Sequence, residues 1–360
     1  GGHPGRTAAL FAQARRALRA TAQHREALWQ DRAFLSGVAA RSGGDLGPDD
    51  VQAVLDHAWL QASQRTEEEL WYVDPERLAT LDGQAIDDGT PREVAGTVDP
   101  EDLPVLLAIR LLELGPPRPR GGRMPTWDHL LVDEHQERAA IELFALGGVL
   151  APGADLTLSG DRAQRVDRSG QTAAQGDLGA LLGRAALLPV RLRLSHRATA
   201  EIGAFAHAVL GPLAAGPEEP AIHHGPPVAV SRYGGAGEAL AALVAALVAP
   251  RATGSRPEVA IIARDPNGAR RLFAVLDAAL PARLVLAGDF TFGRGELQVT
   301  WVGQVGGMEF DTVVVPDADA WTYPEDDDAR RHLYVALTRA RRQLWVQSPG
   351  EVSSLLPAEV

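Results

Sequence analysis

The chain has 360 residues, with 35 basic side chains against 47 acidic ones and a formal net charge of −12. Every basic residue is arginine, which excludes chemistry that needs a lysine, including a Schiff base or the complete phosphate loop G-x-x-x-x-G-K-[ST]. With no cysteine there is no disulfide framework and no thiolate metal site, which fits the reducing conditions of the cytoplasm, the expected location.

The missing lysine, a single asparagine (Asn267) and 37 glycines read as GC-rich coding. At 45% hydrophobic and 23% charged the chain has the composition of a soluble globular protein, and roughly 150 residues per domain implies two to three domains. The longest apolar run, Ala239 to Pro250, is too short to span a bilayer, so no membrane partner is expected. The acidic balance argues against a basic coat for nucleic acid but leaves room for a local basic groove. The first residue is glycine and the methionines are Met124 and Met308, so either an initiator was removed or the chain begins inside a longer reading frame.

Residues 1–125 read as a mostly helical region. Alanine, leucine and arginine recur at helical spacing from Ala8 to Ala39, and Asp99-Pro-Glu-Asp102 opens a helix carrying Leu103, Leu106, Leu107, Ile109 and Leu111. Gly115 to Arg123, rich in proline and glycine, ends that region. Short apolar runs then alternate with amphipathic helices. The spacing predicts strands at Asp128–Asp133, Asp155–Ser159, Pro189–Leu194, Pro227–Ser231, Glu258–Ala263, Arg283–Ala287, Gln298–Val302, Thr312–Pro316 and Gln343–Gln347. It predicts helices near Arg138–Leu146, Thr199–Leu210, Gly237–Val248, Asn267–Ala279 and Asp328–Ala340. Apolar strands alternating with helices indicate an α/β fold with parallel sheets covered on both faces, and a boundary between two such sheets is expected near 187–190.

The strand His129-Leu-Leu-Val-Asp133-Glu134 ends in two carboxylates. At the carboxyl end of a strand such a pair can hold Mg²⁺ through one group and activate a water with the other, although strands also end in plain acidic turns. The next strand runs into Gly160-Asp161 and then Gln164, which could sense a terminal phosphate or the attacking water; an ordinary Gly-Asp turn is the alternative. Arg197 stands where a strand enters a helix expected to be capped near Thr199 and to close at Gly211-Pro212, and Arg339 ends the last helix. Both are placed to reach a phosphate, and the helix dipole would equally account for the second. Gly306-Gly307 followed by Glu309 and a buried strand suits close approach to a sugar-phosphate or ribose.

Taken in order, these pieces resemble the motifs of superfamily 1 helicases of the UvrD/Rep type. Val132-Asp-Glu-His-Gln136 resembles the Walker B pattern V-D-E-A-Q-D, Leu158 to Gln164 the G-D-x-x-Q motif, and Ser195-His-Arg197 the N-Y-R-S motif. Gly306-Gly-Met-Glu-Phe-Asp311 is similar to K-G-L-E-F-D, and Tyr334 to Ala340 equals Y-V-A-L-T-R-A residue for residue. The resemblance implies two RecA-like parallel-sheet domains, with 126–188 the remainder of an incomplete first domain, 189–360 the second, and 1–125 an insertion or linker. It implies ATP and Mg²⁺ as cofactors, bound between the two domains. Asp133 would bind the metal, Glu134 would be the general base, Gln164 would couple the γ-phosphate to closure, and Arg197 and Arg339 would be arginine fingers. Gly160, Asp161, Gly307 and Glu309 would contact the nucleotide, Glu309 at its ribose. The partner implied is single-stranded nucleic acid, DNA ahead of RNA. The short interval from Ala263 to Gln298 looks like the compact layout of HelD-related helicases, whose partners include RNA polymerase.

Four positions depart from the family pattern: His135 replaces alanine, Glu137 aspartate, His196 tyrosine and Gly306 lysine. The phosphate-loop strand, loop and helix are missing, so the expected protein is the C-terminal majority of a helicase whose phosphate loop lies upstream of Gly1. The alternative is a helicase-derived scaffold that binds protein or nucleic acid without turnover. His223-His224 is expected in a solvated loop, Glu325–Asp328 as a charged loop, and Trp301 and Trp345 in the core.

Overall fold

A computed structural model describes residues 27–42, 46–62, 103–114, 127–166, 178–179, 182–184, 187–252, 257–277, 280–286, 290–292 and 297–357. The expected helix from Ala8 is described only over its last part, and the Gly115–Arg123 joint lies outside these residues. The chain forms two compact units. One holds residues 1–130, 139–157 and 173–187, and the other 131–138, 158–172 and 188–360.

In the first unit, helices α1 (Arg32–Arg41) and α2 (Pro48–Ala62) pack on each other. Asp31 caps α1 by accepting from the Ala33 and Phe34 amides, which supplies acceptors for two otherwise unpaired N–H groups. Helix α3 (Leu103–Leu114) packs on α4 (Ala140–Gly147), and Leu106 and Leu143 of the two helices are fully buried. Gly148 follows α4 where a β-carbon would lie 2.4 Å from Leu111 Cδ1, so only glycine admits that leucine.

Strands β1 (Trp127–Val132) and β2 (Leu150–Leu158) form a two-stranded sheet. Trp127 N bonds Val149 O at one end and Ser159 N bonds Val132 O at the other. Both partners advance together, so the pairing is parallel.

The second unit is built on a six-stranded sheet. Its strands are β5 (Ala229–Arg232), β6 (Val259–Ala263), β7 (Ala282–Leu284), β8 (Leu297–Trp301), β9 (Phe310–Val315) and β10 (Ala340–Ser348), in the order β5-β10-β9-β6-β8-β7. Every pairing is parallel. This matches the α/β class and the parallel sheet expected from the uninterrupted apolar runs. Ala260 and Ile262 of β6 join Val313 and Val315 of β9 in one core, whereas Val259, Ile261, Ala263 and Val314 join the core on the opposite face. Alternate side chains of one strand thus enter two cores, and each fully buried aliphatic group contributes roughly 1.5–3 kcal/mol.

The sheet is covered by α5 (Ala200–Leu210), α6 (Ala236–Ala252), α7 (Pro266–Leu276) and α8 (Asp327–Thr338). Asp265 and Asp326 cap α7 and α8. Thr199 occupies the cap position of α5 as expected, but its hydroxyl makes no capping bond and is buried without a partner. Gly211, at φ +50°, closes α5. Trp301 and Trp345 pack against the core, as expected.

Two expectations fail. The predicted strand Pro189–Leu194 is not in a ladder; its alternating Leu188, Val190 and Leu192 are 80–92% exposed, and pairing begins only at β3 (Ser195–Thr199). Arg191 bonds Ala215 O and pairs with Glu219, ties that engage its side chain and leave the backbone outside a ladder. The partner of β3 is β4 (Ala221–His223), in the stretch expected to be a solvated loop. His224 there binds Glu201, whose carboxyl is held down at about 2 by its backbone hydrogen bonds and by His224.

Candidate active site

The loop after β1 and the loop after β2 belong to the same unit as the six-stranded sheet. Asp133 and Glu134 sit at the carboxyl end of β1, as expected. Asp133 Oδ1 accepts from the Ser159 hydroxyl at 2.5 Å and from the Glu134 amide at 3.0 Å. Glu134 adopts φ 50° and ψ 45°, the left-handed region, and is the only non-glycine with positive φ among the described residues. That conformation costs a residue with a β-carbon on the order of 1 kcal/mol or more.

The fully buried Gln136 holds the two loops together. Its Nε2 donates to Glu134 Oε2 at 2.6 Å, and its Oε1 accepts from Asp161 N at 3.1 Å. Gly160 lies against this amide. A β-carbon there would be 2.1 Å from Gln136 Oε1 and 2.6 Å from His135 Nδ1, so a side chain at 160 would displace both. Asp161 caps the short turn 162–164 through the Ala163 amide and accepts from Gln164 Nε2 at 3.2 Å. Its carboxylate is therefore engaged within the loop.

Arg339 and Glu309 stand at the amino ends of parallel strands, immediately before β10 and β9. Arg339 is 2% exposed. Its guanidinium donates to the carbonyls of Val335, Val305 and Met308, to the Thr338 hydroxyl, and to Gln164 Oε1. All five acceptors are neutral. Burial lowers its pKa, Arg197 adds to the effect, and Glu134 and Glu309 oppose it. A buried cation whose direct hydrogen-bond partners are all neutral carries a desolvation cost that the more distant carboxylates of Glu134 and Glu309 offset only in part.

Glu309 is shared by two arginines. Arg197, from β3, pairs with Oε1, and Arg341 lies 3.8 Å from Oε2. Gly307, at φ +69°, makes the turn before Glu309, and around both Gly306 and Gly307 the space a β-carbon would occupy is open. Tyr334 is partly buried near Asp161; burial and the neighbouring carboxylates raise its pKa well above the usual range.

The nine residues singled out from sequence thus fall into three linked groups: Asp133 and Glu134 with Gln136; Gly160, Asp161 and Gln164 with Arg339; and Arg197 with Glu309 beside Gly307. The sequence reading gave no role to Gln136, Ser159, Tyr334 or Arg341. Gln136, Ser159 and Tyr334 stand inside the motifs and were visible there, whereas nothing in the sequence pairs Ser159 with Asp133 or Arg341 with Glu309.

Residues 302–347 match the UvrD-like helicase C-terminal domain family. The matched span runs from the end of β8 through β10 and includes Gly306, Gly307, Glu309, Tyr334, Arg339 and Arg341. Asp133, Glu134, Gln164 and Arg197 lie outside it. Among solved structures, the C-terminal domain of a possible DNA helicase from Lactobacillus plantarum WCFS1 is 22% identical, with a TM-score of 0.38, over 46% of this chain and 96% of that one. The PRRSV helicase is 14% identical with a TM-score of 0.31, and arterivirus nonstructural protein 10, a helicase in complex with DNA, is 19% identical with a TM-score of 0.30. Each aligns with 61% of this chain, which spans 34% and 40% of the respective viral proteins. No curated protein sequence matches the chain. Among the described residues no helix is long and apolar enough to cross a membrane.

Proposed function

We propose that the chain is part of an ATP-dependent helicase or translocase of the UvrD/Rep type, acting on single-stranded nucleic acid, DNA ahead of RNA. Residues 126–188 are the remainder of the first RecA-like domain and 189–360 the second, and a phosphate loop supplied from outside these 360 residues completes the nucleotide cradle. The observation that carries this reading is Arg339: a buried guanidinium with neutral partners, bonded to Gln164 and within electrostatic reach of Glu134. The cysteine-free composition agrees with a cytoplasmic location.

The donor set fits the implied cofactors. Mg²⁺ bound with a nucleotide needs only one or two protein carboxylates and keeps several waters, and Asp133, oriented by the Ser159 hydroxyl, would hold it. When bound, Mg-ATP supplies the phosphoanhydride that is cleaved. Glu134, held by Gln136, accepts the proton of the attacking water. Gln164 turns its carboxamide between Asp161 and Arg339 and couples the terminal phosphate to closure. Arg339 and, once it leaves Glu309, Arg197 stabilise charge on the transferred phosphoryl oxygens. Gly160 and Asp161 line the phosphate side, while Gly307 and Glu309 contact the sugar.

The test is strand-stimulated ATP hydrolysis by the parent protein. Glu134→Gln should lower the turnover rate by about 10²–10⁴-fold. A parent without a phosphate loop, or hydrolysis indifferent to Glu134→Gln, overturns the proposal. One observation favours a second reading, a non-catalytic scaffold. Gly306 replaces the family's lysine and is surrounded by open space, so a nucleotide there would lack one cationic contact. The compact layout extends the leading proposal to RNA polymerase complexes as partners, which co-purification with the parent protein would detect.

A further inference from the structure

On the carboxyl side of the sheet, away from the amino-end residues Glu309 and Arg339, the loop from β9 to α8 presents Trp321 at 94% exposure. Its backbone is pinned around that side chain. Asp319 Oδ1 accepts from the Trp321 and Thr322 amides at 3.0 and 2.8 Å. Ala320 N bonds Glu351 O at 2.8 Å, Tyr323 N bonds Asp319 O at 2.8 Å, and Ser353 Oγ donates to Tyr323 O at 2.6 Å. The neighbouring Tyr323 is fully buried and anchors the loop. An indole held outward on a fixed backbone loses little conformational freedom on binding, the property of an interface anchor.

Beside it lies an open depression lined by Asp319, Ala320, Trp321, Pro349, Gly350 and Glu351. Besides the buried Asp317, residues 318–328 carry five carboxylates and no basic residue. Three arginines lie nearby against a larger number of carboxylates, so the surface keeps a net negative charge. Arg264 donates to Thr322 O and lies over the Tyr323 ring, Arg330 donates to Val209 O, and Arg331 pairs with Asp327 and Asp328. A phosphate backbone would be repelled by this surface, and a purely apolar partner would strip water from carboxylates without pairing them.

We propose that this surface docks an arginine-rich segment of a partner protein. A guanidinium stacks on the Trp321 face while its neighbours in the segment pair with Glu351 and Asp319. Docking at the carboxyl ends of the strands leaves the amino-end site free, so the surface does not depend on the helicase reading.

Isothermal titration of the 360-residue chain with the peptide acetyl-(Arg-Gly)₄-amide tests this. Trp321→Ala should weaken binding by about tenfold, Trp321→Tyr should stay within about threefold of the wild type, and the lysine counterpart of the peptide should bind several-fold less tightly than the arginine peptide. The indole is almost fully exposed, so Trp321→Ala should leave the unfolding midpoint unchanged. Equal affinity of wild type and Trp321→Ala, or of the lysine and arginine peptides, would reduce the effect to general acidity and overturn the proposal. So would a single-stranded oligonucleotide whose binding depends on Trp321.

Discussion

Arg339 donates a hydrogen bond to the side-chain oxygen of Gln164, 175 residues away in sequence, and is otherwise satisfied only by carbonyls and a hydroxyl. Gln164 was expected to sense a terminal phosphate and Arg339 to reach one as an arginine finger, and the two side chains bond each other directly. The pair makes different predictions for stability and for activity. Replacing a buried cation by an apolar chain of similar length removes a desolvation cost that offsets the hydrogen bonds lost by its five acceptors, so Arg339→Met should leave the stability of the isolated chain within about 1 kcal/mol of the wild type in urea unfolding. In the parent protein the same substitution should lower the turnover of ATP by about 10³-fold or more, the usual worth of an arginine finger. A marked loss of stability instead would make Arg339 a structural residue.

Gly160→Ala tests the junction of the two loops. The added methyl group would overlap Gln136 Oε1 and His135 Nδ1, so one of these side chains must move. Moving Gln136 releases both Glu134 Oε2 and Asp161 N. The expected cost is about 1–3 kcal/mol, read as a lower urea midpoint with an unchanged slope. Gln136→Ala should lose the same tie between the loops without the overlap, and combining the two changes should cost less than their sum, because they act on one contact.

The parallel sheet of the second unit was legible because its strands are buried on both faces: Val259-Ala-Ile-Ile-Ala263 can be nothing but a core segment, and its shortness argues for a strand. The same reasoning misread Pro189–Leu194, where the alternation of apolar and arginine residues is that of a half-buried strand but no neighbouring strand supplies a ladder. It missed β4 because a three-residue strand carries too little pattern to register. At the candidate site, the residues named in motifs were legible as types, while their pairings were not. Nothing in the order of residues shows that Glu309 is held by Arg197 and Arg341, since this depends on the amino ends of β9 and β10 lying side by side and on the approach of β3.

Glu134 combines the expected base with the left-handed backbone seen at φ 50°. Glycine occupies that region without a β-carbon penalty, so Glu134→Gly should recover about 1 kcal/mol of backbone strain, offset by the lost bond from Gln136 and by glycine's greater freedom when unfolded. Glu134→Ala keeps the strain and loses the same bond. The glycine variant should therefore be the more stable of the two by about 1 kcal/mol in chemical denaturation, while both abolish hydrolysis in the parent protein. Equal stability of the two variants would mean that the backbone at 134 relaxes without cost.

Asp317, just beyond β9, predicts how stability depends on pH. Its carboxyl is buried, with Oδ2 accepting from Arg264 N at 3.2 Å and Oδ1 without a partner. Burial pushes its pKa up from 3.8 to about 7, the nearby Asp319 and Asp265 adding to the effect and the Arg264 amide opposing it. Tyr323, also buried and with its hydroxyl unpartnered, and the guanidinium of Arg264 complete the charged and titratable surroundings. Between pH 4 and pH 7 the folded chain holds a proton at this site that the unfolded chain has released, so stability from this group falls as pH rises through that window and levels off above it. The loss is of the order of a few kcal/mol. Asp317→Asn keeps an acceptor for the Arg264 amide and cannot ionise. Urea midpoints measured at pH 5, 6, 7 and 8 should decline for the wild type and stay flatter for Asp317→Asn, with the variant the more stable protein at pH 8. Parallel profiles for the two proteins would show that Asp317 ionises normally.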